Sequence, residues 1–201
     1  MAKLGHARPF YLPFIYPPNY DVPPTLQDQV AILDNVSAID GLWYWGCADL
    51  GDAVAKSSLV NIEACQQAKK YSASPVSAPY SPHKCGNWNE TTKKFGWCNN
   101  VYYQGNGAQG MIQTWMAHIT GYKGQQPDFI IYTTWNDLAE HHYLGPYNHT
   151  FWGLANETQP QWHTEYPHIA YLQLSRYFIR WYKSPAGSAA PVVSTEDEAI
   201  L

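Results

Sequence analysis

Two rhythms of apolar residues alternate along this chain. Arg8 to Ile15, RPFYLPFI, is a short apolar run bounded by proline and predicts a buried strand. After Pro23 and Pro24, Leu26, Val30 and Leu33 recur at i, i+4 and i+7, one face of a helix. Ile39 to Trp45, IDGLWYW, predicts a second strand. A helix follows to about Ala68, with Leu59, Ile62 and Gln66 on successive turns. Lys70 to Ala78 predicts a third strand and leads into a long loop rich in Gly, Asn, Pro and Trp. Gly107 to Thr120 predicts a helix carrying Met111, Trp115 and Ile119. Phe129 to Thr134 predicts a fourth strand, and Tyr166 to Tyr182 a final helix.

Strands that alternate with helices imply a parallel sheet with helical crossovers, an α/β fold. Four such units are half of a (β/α)8 TIM barrel. There is no internal repeat and no GxGxxG fingerprint. Gly105 to Gly110, GNGAQG, lacks the Lys-Ser/Thr of a phosphate-binding loop. Residues 1–183 therefore form the folded unit. Residues 184–201, small and finally acidic, are expected to be a linker or tail.

Composition narrows the function. A net charge of -4 without a basic cluster gives no footprint for nucleic acid. No apolar run is long enough to span a bilayer. Only 14% of the 201 residues are charged, whereas 15% are aromatic, with 9 Trp and 16 Tyr. Flat apolar faces with polar edges suit sugars, although most of these rings are expected in the core.

Sequons at Asn35, Asn89, Asn148 and Asn156, and four cysteines, fit an extracellular, secreted glycoprotein. Cys85 and Cys98 flank a short loop that a disulfide would close, leaving Cys47 with Cys65. Four free thiols are the alternative. The N-terminus, MAKLGHARPFYLPFIYPP, does not read as a signal peptide, which points to a chain whose true beginning lies elsewhere.

The candidate chemistry sits after the fourth strand, in TTWNDLAEHHYLGPY, where Asp137, Glu140, His141 and His142 fall within six residues. In α/β sheets and barrels, the C-terminal ends of strands are where sites form. Three readings compete: paired carboxylates, a metal site, and a solvated loop. Asp137 and Glu140 could supply the acid and base of glycosidic hydrolysis, if a bend brings both into one cleft. A separation of roughly 6.5–9.5 Å would suit inversion, and about 5–5.5 Å retention. A metal site would use Asp137, Glu140, His141 and His142. However, HExxH is absent, and adjacent histidines point apart, so no metal or other cofactor is expected.

The run from Trp135 to Pro146 resembles the WND-x-G-E-S-H-Y-I-G-P signature of glycoside hydrolase family 71, the fungal α-1,3-glucanases or mutanases. IDGLWYW resembles that family's DGLFSW strand, and HIAYLQLSRYFIRWYKSP its closing helix, so the likeness runs from about Pro9 to Pro185. The resemblance implies a (β/α)8 barrel, of which this chain holds the C-terminal half, hydrolysing α-1,3-glucan with inversion. It implies Asp137 and Glu140 as the catalytic carboxylates. Asn136, His142 and Tyr143 would orient substrate or carboxylates, Trp135 would wall the cleft, and Trp43 and Trp45 would bind substrate. Ala139 and His141 replace the motif's Gly and Ser. The expected partner is a polysaccharide, the alternative a non-catalytic carbohydrate-binding protein on a shortened barrel, and a third reading a structural glycoprotein.

Overall fold

The computed structural model describes residues 8–15, 24–45, 52–78, 83–89, 91–92, 94–100, 108–121, 125–137, 142–145 and 168–192. Its elements are α1 (Leu26–Asn35), β1 (Gly41–Trp43), α2 (Asp52–Gln67), β2 (Tyr71–Val76), β3 (His83–Asn89), β4 (Lys94–Asn100), α3 (Gln109–Thr120), β5 (Phe129–Tyr132) and α4 (Ile169–Tyr182).

β1, β2 and β5 form a parallel sheet in that order, with Gly41 opposite Tyr71 and Ala73 opposite Phe129. The order follows the chain without reversal. Successive helices touch, α1 against α2, α2 against α3, and α3 against α4. Crossovers of one hand between neighbouring strands place such helices in a single layer over one face. The expectation of an α/β fold with parallel strands is met.

Gly41 is required by how closely β1 and β2 approach, because a Cβ there would sit 1.7 Å from the Tyr71 carbonyl oxygen. On the far side of β1, the stretch read as a first strand runs extended beside it without becoming a regular strand. Its carbonyls accept from β1 and from the residue before it, Trp43 N–H donating to Pro13 O at 3.2 Å and Asp40 N–H to Tyr11 O at 2.8 Å. Pro9 and Pro13 have no N–H to return, so the ladder stays incomplete. The Asp40 carboxylate ties the segment down instead, accepting from Tyr11 N–H and pairing with Arg8. The Tyr11 bond, foremost, holds its pKa below the usual carboxylate value.

Two apolar clusters lie beneath the helices. Leu33, Ile39, Leu42, Ala64 and Cys65 join α1 and α2 to β1. Val76, Met111, Trp115, Ile119, Leu174 and Phe178 join α3 and α4 to the sheet, with Trp115 stacked on Phe178 at 5.7 Å. α1 begins in a capping box. Thr25 Oγ1 accepts from Asp28 N–H while Asp28 Oδ2 accepts from Thr25 N–H, so two N–H groups of the first turn are satisfied reciprocally.

The long loop after β2 is corrected by the structure. Within it, β3 and β4 form an antiparallel hairpin turning near Thr91 and Thr92. Gly and Asn are depleted in strands, so composition argued for a loop, whereas the backbone ladder made a hairpin. After α4 the chain folds back, with Trp181 Nε1–H donating to Ser188 O at 3.0 Å and the Tyr177 hydroxyl to Pro191 O at 3.2 Å.

Candidate active site

The polar run after β5 is a loop with two hydrogen-bonded limbs. Thr133 N–H donates to Val76 O at 3.0 Å, carrying the ladder one residue past β5. The Thr133–Thr134 peptide is cis. Thr134 Oγ1 accepts from Asp137 N–H at 2.9 Å and turns the outgoing limb. The returning limb, His142 to Gly145, lies alongside it. Thr134 N–H donates to His142 O, Leu144 N–H to Thr134 O at 3.0 Å, and Gly145 N–H to Trp135 O at 2.8 Å. The residues on either side of 138–141 are thereby tied to one another.

Trp135 is 56% exposed and rests on Gly145. A Cβ at Gly145 would fall 2.6 Å from the Trp135 carbonyl oxygen and 2.8 Å from ring atom Cε2, so only glycine lets the indole settle there. Its flat face stands at the C-terminal end of the sheet. Two residues on, the Asp137 side chain is 36% exposed, within reach of both solvent and protein. Its Oδ2 lies 3.5 Å from Nε2 of His142, which is fully buried. Nδ1 of that ring lies 3.1 Å from the Thr133 carbonyl oxygen.

Asn136 is exposed beside Asp137. Glu140 and His141 lie outside the described residues. His142 and Tyr143, expected to orient substrate or carboxylates, are both buried. Apolar packing is the cause for Tyr143, whose ring stacks on His168 at 4.0 Å while His168 Nδ1 meets Tyr143 O at 2.9 Å. His168 and Gly145 are supports to which sequence reasoning gave no role. The small residue after the WND element was the signal for Gly145. Nothing in the sequence pointed to His168.

Trp43 is the last residue of β1 and Trp45 lies two residues beyond it, their rings 5.4 Å apart, with Phe14 against Trp43 at 5.6 Å. Trp43 is half-buried between these rings, and Trp45 is exposed.

Cys65 is a buried free thiol, so its pairing with Cys47 is not made. Burial pushes its pKa up to about 11, and it lies inside the cluster that joins α2 to β1, closed to an incoming partner. Cys47 lies outside the described residues. The register of the hairpin sets Cys85 opposite Cys98. Asn35 is exposed at the end of α1 and donates Nδ2–H to Ala31 O at 2.8 Å. Asn89 closes β3, and Asn148 and Asn156 lie outside the described residues. Among the described residues, no group of three or more His, Cys, Asp or Glu is placed to hold a metal ion, and no helix is long and apolar enough to cross a membrane.

A model of glycosyl hydrolase family 71 matches residues 10–200. The chain belongs to that family. A mutanase of Penicillium rubens is 36% identical over 72 residues, which is 36% of this chain and 15% of the mutanase. The match thus spans about a seventh of that relative's length. No solved structure gives a significant match.

Proposed function

We propose that the chain supplies part of a glycoside hydrolase acting on α-1,3-glucan, with Asp137 and Glu140 as its paired carboxyl groups on a (β/α)8-type barrel. The observation that carries this is the partly exposed Asp137, two residues from the exposed Trp135, following the C-terminal end of a parallel strand in a family 71 chain. The strand order without reversal supports the barrel. The similarity to a mutanase supports the glucan.

In this reading one carboxyl protonates the leaving glycosidic oxygen. The other takes a proton from water as that water bonds to the anomeric carbon from the opposite face, inverting it. Trp135 lays its ring against a sugar's C–H face, as do Trp45 and Trp43 at the other strand end. In the same reading the protein is secreted, which the sequons at Asn35, Asn89, Asn148 and Asn156 support. The register that faces Cys85 with Cys98 supports a disulfide in the hairpin.

Reducing-sugar release from insoluble α-1,3-glucan tests the reading, with glucan pull-down beside it. Asp137→Asn and Glu140→Gln are each expected to lower release by at least about 100-fold while pull-down persists. Variants that hydrolyse as well as the parent would remove the catalytic assignment. Binding by a folded parent that releases no sugar would leave the carbohydrate-binding alternative.

A further inference from the structure

The buried ring of His142 touches both the backbone of β5's extension and the carboxyl group of Asp137. Resting on the catalytic reading of Asp137, we infer that His142 is a positioning residue that orients this carboxyl group and shares one proton with it.

The argument begins with the Thr133 carbonyl. A carbonyl oxygen only accepts, so the Nδ1 atom 3.1 Å from it carries a hydrogen. In a neutral imidazole the other nitrogen is then the one with a free lone pair. That nitrogen, Nε2, faces Asp137 Oδ2 at 3.5 Å. A lone pair facing a carboxylate oxygen is repulsive. The contact is favourable only when one proton lies between them, on the ring or on the carboxyl oxygen. At 3.5 Å the contact is longer than an ordinary hydrogen bond, and catalytic hydrogen bonds often tighten only when substrate binds.

Three features fix the geometry. The ring is fully buried, so water does not displace Asp137 from it. The His142 carbonyl is tied to Thr134 N–H, which holds the returning limb against the strand end. The Asp137 backbone is tied to Thr134 Oγ1, so the same threonine holds both partners. Asp137 thus has a set direction, with one oxygen toward His142 and the side chain still partly open to solvent. The chemistry is that of a histidine held in one tautomer by a carbonyl on its far side.

Two measurements on the full chain test this. The first is nitrogen-15 NMR of the histidine rings, in the parent and in Asp137→Asn. A hydrogen-bearing Nδ1 in both, with an Nε2 resonance that moves when Asp137 is replaced, is the expected result. An Nδ1 without hydrogen, or an Nε2 resonance indifferent to Asp137, overturns the inference and does so without any His142 variant having to fold. The second compares His142→Gln, whose amide reaches the Nε2 position, with His142→Asn, whose amide reaches Nδ1. A role through Asp137 leaves kcat of the Gln variant about 10-fold or more above that of the Asn variant, with KM little changed. The Asn variant matching or exceeding the Gln variant means the ring only holds the Thr133 carbonyl, and overturns the inference. A parent that releases no sugar refutes the hydrolase reading instead, while the NMR comparison still decides whether the pair exists.

Discussion

Gly145→Ala places one methyl group under Trp135, and its cost can be worked from the contacts. The new Cβ would lie 2.6 Å from the Trp135 carbonyl oxygen and 2.8 Å from Cε2. The ring could swing aside, since it is largely exposed, but the carbonyl belongs to the backbone and cannot. The two limbs must separate, stretching the 2.8 Å bond from Gly145 N–H to Trp135 O. Overpacking of this kind costs about 1–3 kcal/mol, and the weakened hydrogen bond about 1 kcal/mol more. The lower entropy of an unfolded alanine returns about 0.4–1 kcal/mol. The net is roughly 2 kcal/mol of destabilisation, or about 4–8 °C in Tm for a chain of this size. Pull-down on α-1,3-glucan should weaken together with Tm, because Trp135 loses its seat. Thermal unfolding followed by tryptophan fluorescence gives the first quantity and the glucan pull-down the second. A Tm within about 1 °C of the parent, with binding unchanged, would refute the claim that Gly145 seats the indole.

Two further outcomes follow from buried polar groups. Burial lowers the pKa of His118 to about 4, against its bond from Nε2 to Pro75 O, from an ordinary 6.5. The unfolded chain therefore binds the extra proton first. Its contribution is fully present above pH 6.5 and is lost as pH falls toward 4, about 3 kcal/mol in all. Urea midpoints should drop between pH 7 and pH 5, and His118→Gln should flatten that slope. Asn61, buried in α2, donates Nδ2–H to Leu42 O at 3.2 Å and Ala73 O at 3.3 Å, bridging β1 and β2. Asn61→Leu keeps the volume and removes both bonds, so the urea midpoint should fall by the equivalent of about 1–3 kcal/mol with an unchanged m-value.

Periodicity made the parallel sheet legible. Leu26, Val30 and Leu33 did mark α1, and Met111, Trp115 and Ile119 did fall on the buried face of α3. The first strand was half legible, because its apolar run was plain while the missing proline donors decide how far it pairs. The hairpin escaped because Cys85-Gly86-Asn87 and Asn99-Asn100 have the composition of a loop, and only partners distant in sequence make them strands. At the site, the motif pointed to Asp137 and to His142 as an orienting residue, but not to the buried contact between them. His142 looks like an exposed polar residue in the sequence, since burial depends on where a returning limb packs. Its two contacts, on Thr133 and Asp137, exist only once the loop has closed.

Cys65 gives the fold a clock of its own. Thiol reagents attack the thiolate, and this sulfur is both hidden under α2 and held protonated by its surroundings. It can be alkylated only in the moments when α2 lifts from β1. With slow labelling and rapid reclosing, the rate measures how much of the population is open. With a fast reagent, it measures how often opening occurs. One native atom, located by mass mapping, thus reports the breathing of the layer that supports the sheet.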